Sequence, residues 1–256
     1  MVNKWSPSYK GPTLVLSEEN YKVTATTTDW ESVLAIESNL SDKVYFEVYF
    51  GVVDSYSSVG VCSSSLSLEG HIGQSISGWS TMATGRFYNN NTYVAGPDWN
   101  SNGNVVGVAV DLASGKIWFS VNGVFSGDPS AGTGAAFSGL TGTLYPAISL
   151  YTTSSWCVGR FSNYFFSYVP PAGFDAWSDD YIFSGSVFYG NIPVSGSAVC
   201  LYRRDSFDLV DFFYTTNSGT FQVVTPIFED HYMVALYTIS GTENALVFDW
   251  LHPRDL

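Results

Sequence analysis

The chain has 256 residues, of which 45% are hydrophobic, 17% aromatic and only 13% charged. That much apolar material excludes a disordered chain and is ample for one large or two modest cores. The formal net charge of −13 excludes a basic nucleic-acid footprint and charge-driven docking on anionic lipid.

No apolar run reaches the ~18 residues of a membrane-spanning helix. Met1–Lys10 holds no apolar stretch of the kind that opens a secretory signal, so the expectation is a chain made in a reducing cytoplasm. Cys62, Cys157 and Cys200 are odd in number and widely spaced. Buried free thiols are expected from them, not a disulfide framework or a metal-binding pair.

Helical periodicity is nearly absent along the chain, and short alternating runs replace it. In Val44–Phe50 the even positions are aliphatic or Phe and the odd ones Tyr or Glu. This predicts a strand with one core face and one wetter face. The Ser-rich stretch 55–67 and the Asn-rich stretch 88–92 read as exposed loops. Val105–Val110 and Lys116–Val121 are β-rich and flank the turn chemistry of Asp111 to Gly115, which predicts a hairpin. Asn122-Gly123 marks a further turn. Leu144, Pro146, Ile148 and Leu150 alternate with Tyr145, Ala147, Ser149 and Tyr151. The expectation is an all-β chain built from antiparallel sandwiches.

A boundary is expected near Trp177 to Tyr181, dividing the chain into 1–178 and 179–256. Pro170-Pro171-Ala172-Gly173 closes the strand before it. Residues 1–178 hold 7 basic and 13 acidic side chains and residues 179–256 hold 3 and 10, so the second segment is about twice as acidic per residue. Its alternating runs are 186–189, 198–202, 220–224, 232–237 and 245–250.

Catalytic chemistry finds little to build on. The histidines are His71, His231 and His252, and none sits in a recognisable nucleophile, metal or phosphate motif. No enzyme is expected, and no cofactor or metal. Arg203-Arg204-Asp205 with Asp208 and Asp211 matches no calcium-loop spacing and reads as a solvated hairpin flank. Glu47, inside an apolar strand, is expected on an outward face or as a paired buried carboxylate. Trp118 and Trp177 are expected in the core. Tyr56, Trp79, Tyr88, Asn90, Tyr93, Trp99 and Trp156 fall in or beside stretches rich in Ser, Asn and Gly. Aromatics among such adaptable neighbours are the chemistry of binding loops. Plugging of the sandwich ends is the other reading of the same residues.

Several stretches together carry a family resemblance. Val44–Val48, Val59-Gly60-Val61, Asn104–Asp111, Lys116–Gly123 and Leu144–Leu150 resemble, in order and spacing, the strands of a SPRY domain spanning residues 1 to about 177. Gly159-Arg160-Phe161-Ser162 departs from the Asn-Phe-Gly turn often found there. The resemblance implies a β-sandwich that binds partners through rim loops. Trp5-Ser6-Pro7, Leu14–Ser17, Gly132–Phe137 and Phe166–Phe174 resemble SPRY domains in structural proteins of tailed bacteriophages. Pro193–Gly196, Val199–Arg204, Gly219–Phe221 and Asn244–Trp250 resemble small Ig-like or transthyretin-like modules.

Together these resemblances imply a non-enzymatic virion protein, tail- or baseplate-associated, made in the bacterial cytoplasm. Its implied partners are other virion proteins and a host-surface glycan or protein, with no nucleic acid and no membrane insertion. A homo-oligomer is compatible with that role. A capsid decoration or head-fibre protein is the rival within this class, and a SPRY peptide-binding adaptor is the rival outside it.

Overall fold

The computed structural model describes residues 3–39, 42–178, 181–189, 191–203, 209–225, 231–239 and 242–251. Among them there are strands, turns and loops, and no helix. The chain divides into two compact units, Asn3–Ser178 and Asp179–Leu256.

In chain order the first unit holds β1 (Trp5–Lys10), β2 (Leu14–Ser17), β3 (Lys22–Ala25), β4 (Glu31–Ala35), β5 (Lys43–Val52), β6 (Ser58–Cys62), β7 (Gly78–Met82) and β8 (Arg86–Asn89). There follow β9 (Thr92–Ala95), β10 (Val105–Asp111), β11 (Lys116–Val121), β12 (Val124–Phe125), β13 (Phe137–Ser138), β14 (Tyr145–Leu150), β15 (Trp156–Arg160) and β16 (Asp175–Ala176). A seven-stranded sheet runs in the order β1-β4-β14-β6-β7-β8-β9. The facing sheet runs β12-β11-β10-β5-β15-β3-β2, with β13 on β11 and β16 on β5. Every pairing is antiparallel except β16 on β5.

The period-2 pattern sets which side chains meet between the sheets. Val44, Phe46, Val48 and Phe50 of β5, with Val106, Val108 and Val110 of β10, face Val59 and Val61 of β6 and Ile148 and Leu150 of β14. The expected hairpin is present, with Asp111 opposite Lys116. Its turn is closed by Ser114 N donating to Asp111 Oδ1 at 2.9 Å. Burial pushes the Asp111 carboxyl up, but the Ser114 hydrogen bonds and Lys43 outweigh it and hold the group below its ordinary value. Cys62 and Cys157 are free and buried, and Cys200 is free and half-buried. Burial pushes the Cys62 and Cys157 thiols far up, away from thiolate chemistry.

Both outer faces of this sandwich carry a covering segment. On the seven-stranded sheet, residues 63–77 lie over Leu34, Cys62 and Ala147, with Leu66 and Ile72 completing a small apolar cluster. Three buried serines hold that loop. Ser32 Oγ donates to Gly70 O at 2.6 Å, and Ser80 Oγ donates to Ile72 O at 2.7 Å. Ser149 Oγ accepts from Ile72 N at 3.0 Å and lies 2.7 Å from Ser32 Oγ. A hydroxyl has one proton, and Ser32 has given its own to Gly70, so Ser149 donates to Ser32.

On the facing sheet, residues 162–174 cover the outward side of β5 and β11. Tyr45, Ala109, Trp118 and Phe174 form the cluster beneath, with Phe125 and Phe166 packed against it. Trp118 is thus buried as expected, but under this flap rather than between the sheets. Glu47 is the paired buried carboxylate. It accepts from Tyr45 Oη at 3.0 Å, Ser167 N at 2.8 Å and Tyr168 N at 2.9 Å, and Arg160 Nη1 lies 3.5 Å away. Burial, and then the Glu47 charge, push the Tyr45 phenol well above its ordinary value, which keeps it a donor. Trp177 lies in the core as expected.

The second unit holds β17 (Tyr181–Ser186), β18 (Phe188–Tyr189), β19 (Ile192–Pro193), β20 (Ala198–Arg203), β21 (Leu209–Tyr214), β22 (Thr220–Thr225), β23 (His231–Ile239) and β24 (Thr242–Leu251). β21-β20-β23-β24 form one sheet, and β17-β22 and β18-β19 are two-stranded pairs. Val199, Leu201, Phe221, Met233 and Ala235 form its core with Val187. The alternating run expected at 186–189 is split by Val187, which leaves the strand and buries itself. Arg204, Asp205, Asp208 and His252 lie outside the described residues. Among the described residues no three His, Cys, Asp or Glu side chains gather in a metal-holding group.

Candidate binding surface

Register brings three aromatics to one end of the seven-stranded sheet. Leu150 pairs with Glu31 and Ser149 with Ser58. Trp30 just before β4, Tyr151 just after β14 and Tyr56 just before β6 therefore share that end. Their rings touch, at 5.1 Å for Tyr56–Tyr151, 5.2 Å for Trp30–Tyr151 and 5.7 Å for Trp30–Tyr56.

Carboxylates fix the loops that carry them. Asp54 Oδ1 accepts from Tyr56 N at 2.7 Å, while its Oδ2 accepts from Ser57 Oγ at 3.1 Å and Thr152 N at 3.2 Å. One side chain thus ties the Tyr56 loop to the Tyr151 loop. Asp29 Oδ1 accepts from Trp30 N at 2.8 Å.

The serine-held loop adds the next ring. His71 lies 4.7 Å from Trp30 and 5.4 Å from Tyr88, measured between centroids. Tyr88 on β8 then lies 5.3 Å from Tyr93 on β9. The turn between those strands is docked onto the same loop, with Asn90 N donating to Ser75 O at 3.1 Å and Asn91 N to Gly73 O at 2.9 Å. Gly73 has a φ of +89°, and a Cβ there would come within 2.6 Å of Tyr88 O, so only glycine allows this approach. Arg86 closes the row. Its guanidinium lies 4.4 Å above the Tyr93 ring and donates to Tyr88 Oη at 3.3 Å.

The result is a continuous row, Tyr151–Tyr56–Trp30–His71–Tyr88–Tyr93. His71 Nδ1 lies 2.9 Å from Ile72 O, so in the neutral ring Nδ1 carries the proton and Nε2 accepts. Burial lowers its affinity for a second proton, and the Ile72 carbonyl offsets this only in part. The ring is a neutral stacking partner at pH 7. Chemically the row offers flat apolar faces edged with hydroxyls and one cation.

The structure sorts the sequence-derived candidates. Tyr56, Tyr88 and Tyr93 stand in the row, and Asn90 sits exposed at the docked turn. Two candidates are corrected. Trp99 is 1% exposed, packs with its ring centroid 4.6 Å from that of Phe50, and donates from Nε1 to Thr81 Oγ1 at 3.2 Å. The irregular segment after β9 turns inward there and plugs the core. Trp79 is 9% exposed because it is the inward residue of β7, opposite Val61. Trp156 belongs to the facing sheet, where it packs on Tyr49 at 5.9 Å beneath Lys22 Nζ at 4.3 Å.

The sequence reading missed Trp30, Tyr151 and Arg86, and weighed His71 only as a catalytic base. Trp30 and Tyr151 lie 121 positions apart in number, and only the β4–β14 pairing joins them.

Residues 43–161 match the family model of the SPRY domain. Among solved structures, the SPRY domain of human HERC1 shares 17% identity at a TM-score of 0.51, over 61% of this chain and 96% of that one. The stonustoxin structure shares 16% at 0.49, over 62% of this chain and 27% of that one. The TRIM65 PSpry domain shares 16% at 0.48, over 62% and 89%. No curated protein sequence matches the chain. At such identities the HERC1 likeness speaks for the fold, and the family match covers β5 through β15 of that fold. Residues 43–161 therefore resemble a SPRY domain, and they lie within an N-terminal sandwich of SPRY-like fold.

Proposed function

We propose that the chain is a non-enzymatic binding protein whose N-terminal sandwich recognises another protein through the aromatic row. The carrying observation is that six rings from five chain segments are brought into contact and held by Asp54, Asp29 and the serine-clamped loop. Rings fixed before binding lose little freedom on docking, and Tyr and Trp dominate the energetics of protein interfaces. SPRY domains commonly mediate protein–protein binding, which supports the same reading. The test is selection from a displayed random-peptide library. The wild-type chain enriches specific sequences, and Tyr56→Ala loses them at unchanged melting. Equal enrichment by both would contradict the reading.

The narrower setting in a bacteriophage particle, on the tail or baseplate, rests only on the sequence resemblance of the lead-in strands to phage proteins and of residues 179–256 to small Ig-like or transthyretin-like modules. A host-surface ligand belongs to that setting. Labelling of intact particles separates it from a head-decoration protein and from a cellular peptide-binding adaptor. Release of reducing ends from host polysaccharide would contradict the non-enzymatic reading.

A further inference from the structure

The row of rings ends at an open sheet edge. β9 pairs with β8 and is the last strand of its sheet. The parity of that pairing decides which backbone groups are free. Asn90 and Asn91 have φ of 51° and 55°, a two-residue turn that makes Asn89 and Thr92 a hydrogen-bonded pair. Gly96 N donates to Gly85 O at 2.9 Å, in the same phase. Bonded and non-bonded pairs alternate along an antiparallel ladder. Tyr93 and Ala95 therefore turn their N–H and C=O groups away from β8. Among the described residues no backbone hydrogen bond from elsewhere reaches them. Sheet edges are commonly guarded by charge, proline or a bulge. β9 is Thr-Tyr-Val-Ala, in regular register, with Tyr93 55% and Val94 54% exposed.

Arg86 is the second observation. It stands opposite Ala95 on the same face as Tyr88 and Tyr93. Lys22, Lys43 and Arg160 each meet a carboxylate, whereas among the described residues no carboxylate meets Arg86. Its guanidinium lies over the Tyr93 ring with one bond used, to Tyr88 Oη, and such a fork of donors fits a carboxylate.

We propose that β9 accepts an extended peptide of a partner protein as an added strand, and that Arg86 selects an Asp or Glu on its outer face. Backbone groups of the peptide pair with Tyr93 and Ala95. The peptide side chain opposite Ala95 reaches Arg86 across the small methyl group. A second copy of the chain fits poorly there. A four-residue edge ~13 Å long gives two folded copies little surface toward the ~1,200 Å² that a stable interface buries. It would also bring two Arg86 side chains and two chains of net charge −13 together. This inference rests on the reading of the face as protein-binding and names the partner's conformation and charge.

The experiment titrates the isotope-labelled full chain with an eight-residue peptide of alternating Thr and Val carrying one central Glu, and with its Gln and Lys twins. The Glu peptide shifts and protects the Tyr93 and Ala95 amides and binds about fivefold tighter than the Gln twin, as an exposed ion pair allows. Arg86→Gln removes that ratio. Ala95→Pro abolishes binding at unchanged melting, since the lost N–H makes no bond to β8. Should Ala95→Pro melt early, the Glu-to-Gln ratio in wild type and in Arg86→Gln decides alone. Equal binding of all three peptides, or no binding at millimolar concentration, overturns the proposal. So does protection of the Tyr93 amide by self-association without peptide. Shifts at Trp30, Tyr56 and Tyr151 that spare Tyr93 and Ala95 overturn the added strand while leaving the face protein-binding.

Discussion

The two outer faces of the N-terminal sandwich are covered by different chemistry. On the facing sheet a buried charge, Glu47, draws in two backbone N–H groups, a phenol and Arg160, and the flap of residues 162–174 seals Trp118 and Tyr45 away from water. On the seven-stranded sheet neutral hydroxyls hold the loop of residues 63–77, which contributes His71 to a row of half-buried and exposed rings. A buried charge tolerates no loss of partners, whereas a hydroxyl clamp costs less to open. One face is sealed around a buried charge, and the other is the one proposed above to meet a partner.

Substitutions sharpen that contrast. Glu47→Ala strands buried donors and releases the flap, and is expected to cost about 3–5 kcal/mol, or ~10 °C in melting temperature for a body of this size. Melting within 2 °C of wild type would break the comparison. Trp99→Ala is expected to cost about 3–5 kcal/mol as a core vacancy, measured by denaturant unfolding, with little direct effect on the row. Ser149→Ala leaves Ile72 N and Ser32 short of a partner and is expected to cost about 1–3 kcal/mol, with faster amide exchange confined to residues 68–75.

His71 adds a pH signature to the hydroxyl-held face. Its ordinary value is 6.5 and folding lowers it, so below that pH the unfolded chain binds a proton that the folded ring resists. Stability from this group is complete above 6.5 and is lost progressively as pH falls from there through the lower folded value. Wild type should therefore lose stability relative to His71→Gln on acidification, by paired melts at pH 7.5 and 5.5. The smallest stability effect is expected for Tyr56→Ala, 49% exposed in wild type. It should change stability by about 1 kcal/mol or less while weakening a selected peptide more than ~10-fold.

Much of the architecture was legible in the sequence. The alternation in Val44–Phe50 placed the core face of β5 correctly because a strand has a period of two, whatever lies above it. The same pattern could not show that Tyr45, Glu47 and Trp118 face a buried flap, since that depends on residues 162–174 folding back over the sheet. Trp79 and Trp99 were misplaced for a related reason. Ser and Gly neighbours signal loops, yet Trp79 is the inward residue of a Ser-containing strand, and Trp99 is a loop residue that turns into the core. Tyr56, Tyr88 and Tyr93 could be found from their neighbours. Trp30 and Tyr151 required the pairing of β4 with β14, a long-range register that no local signal carries.

The end and open edge of the seven-stranded sheet are the face proposed to meet a partner. Amide hydrogen exchange of the full chain, with and without a library-selected peptide, tests this directly. The expected result is new protection confined to residues 54–57, 69–75, 86–95 and 151–153. Protection centred on residues 126–136 or 162–174, with those segments unchanged, would contradict it.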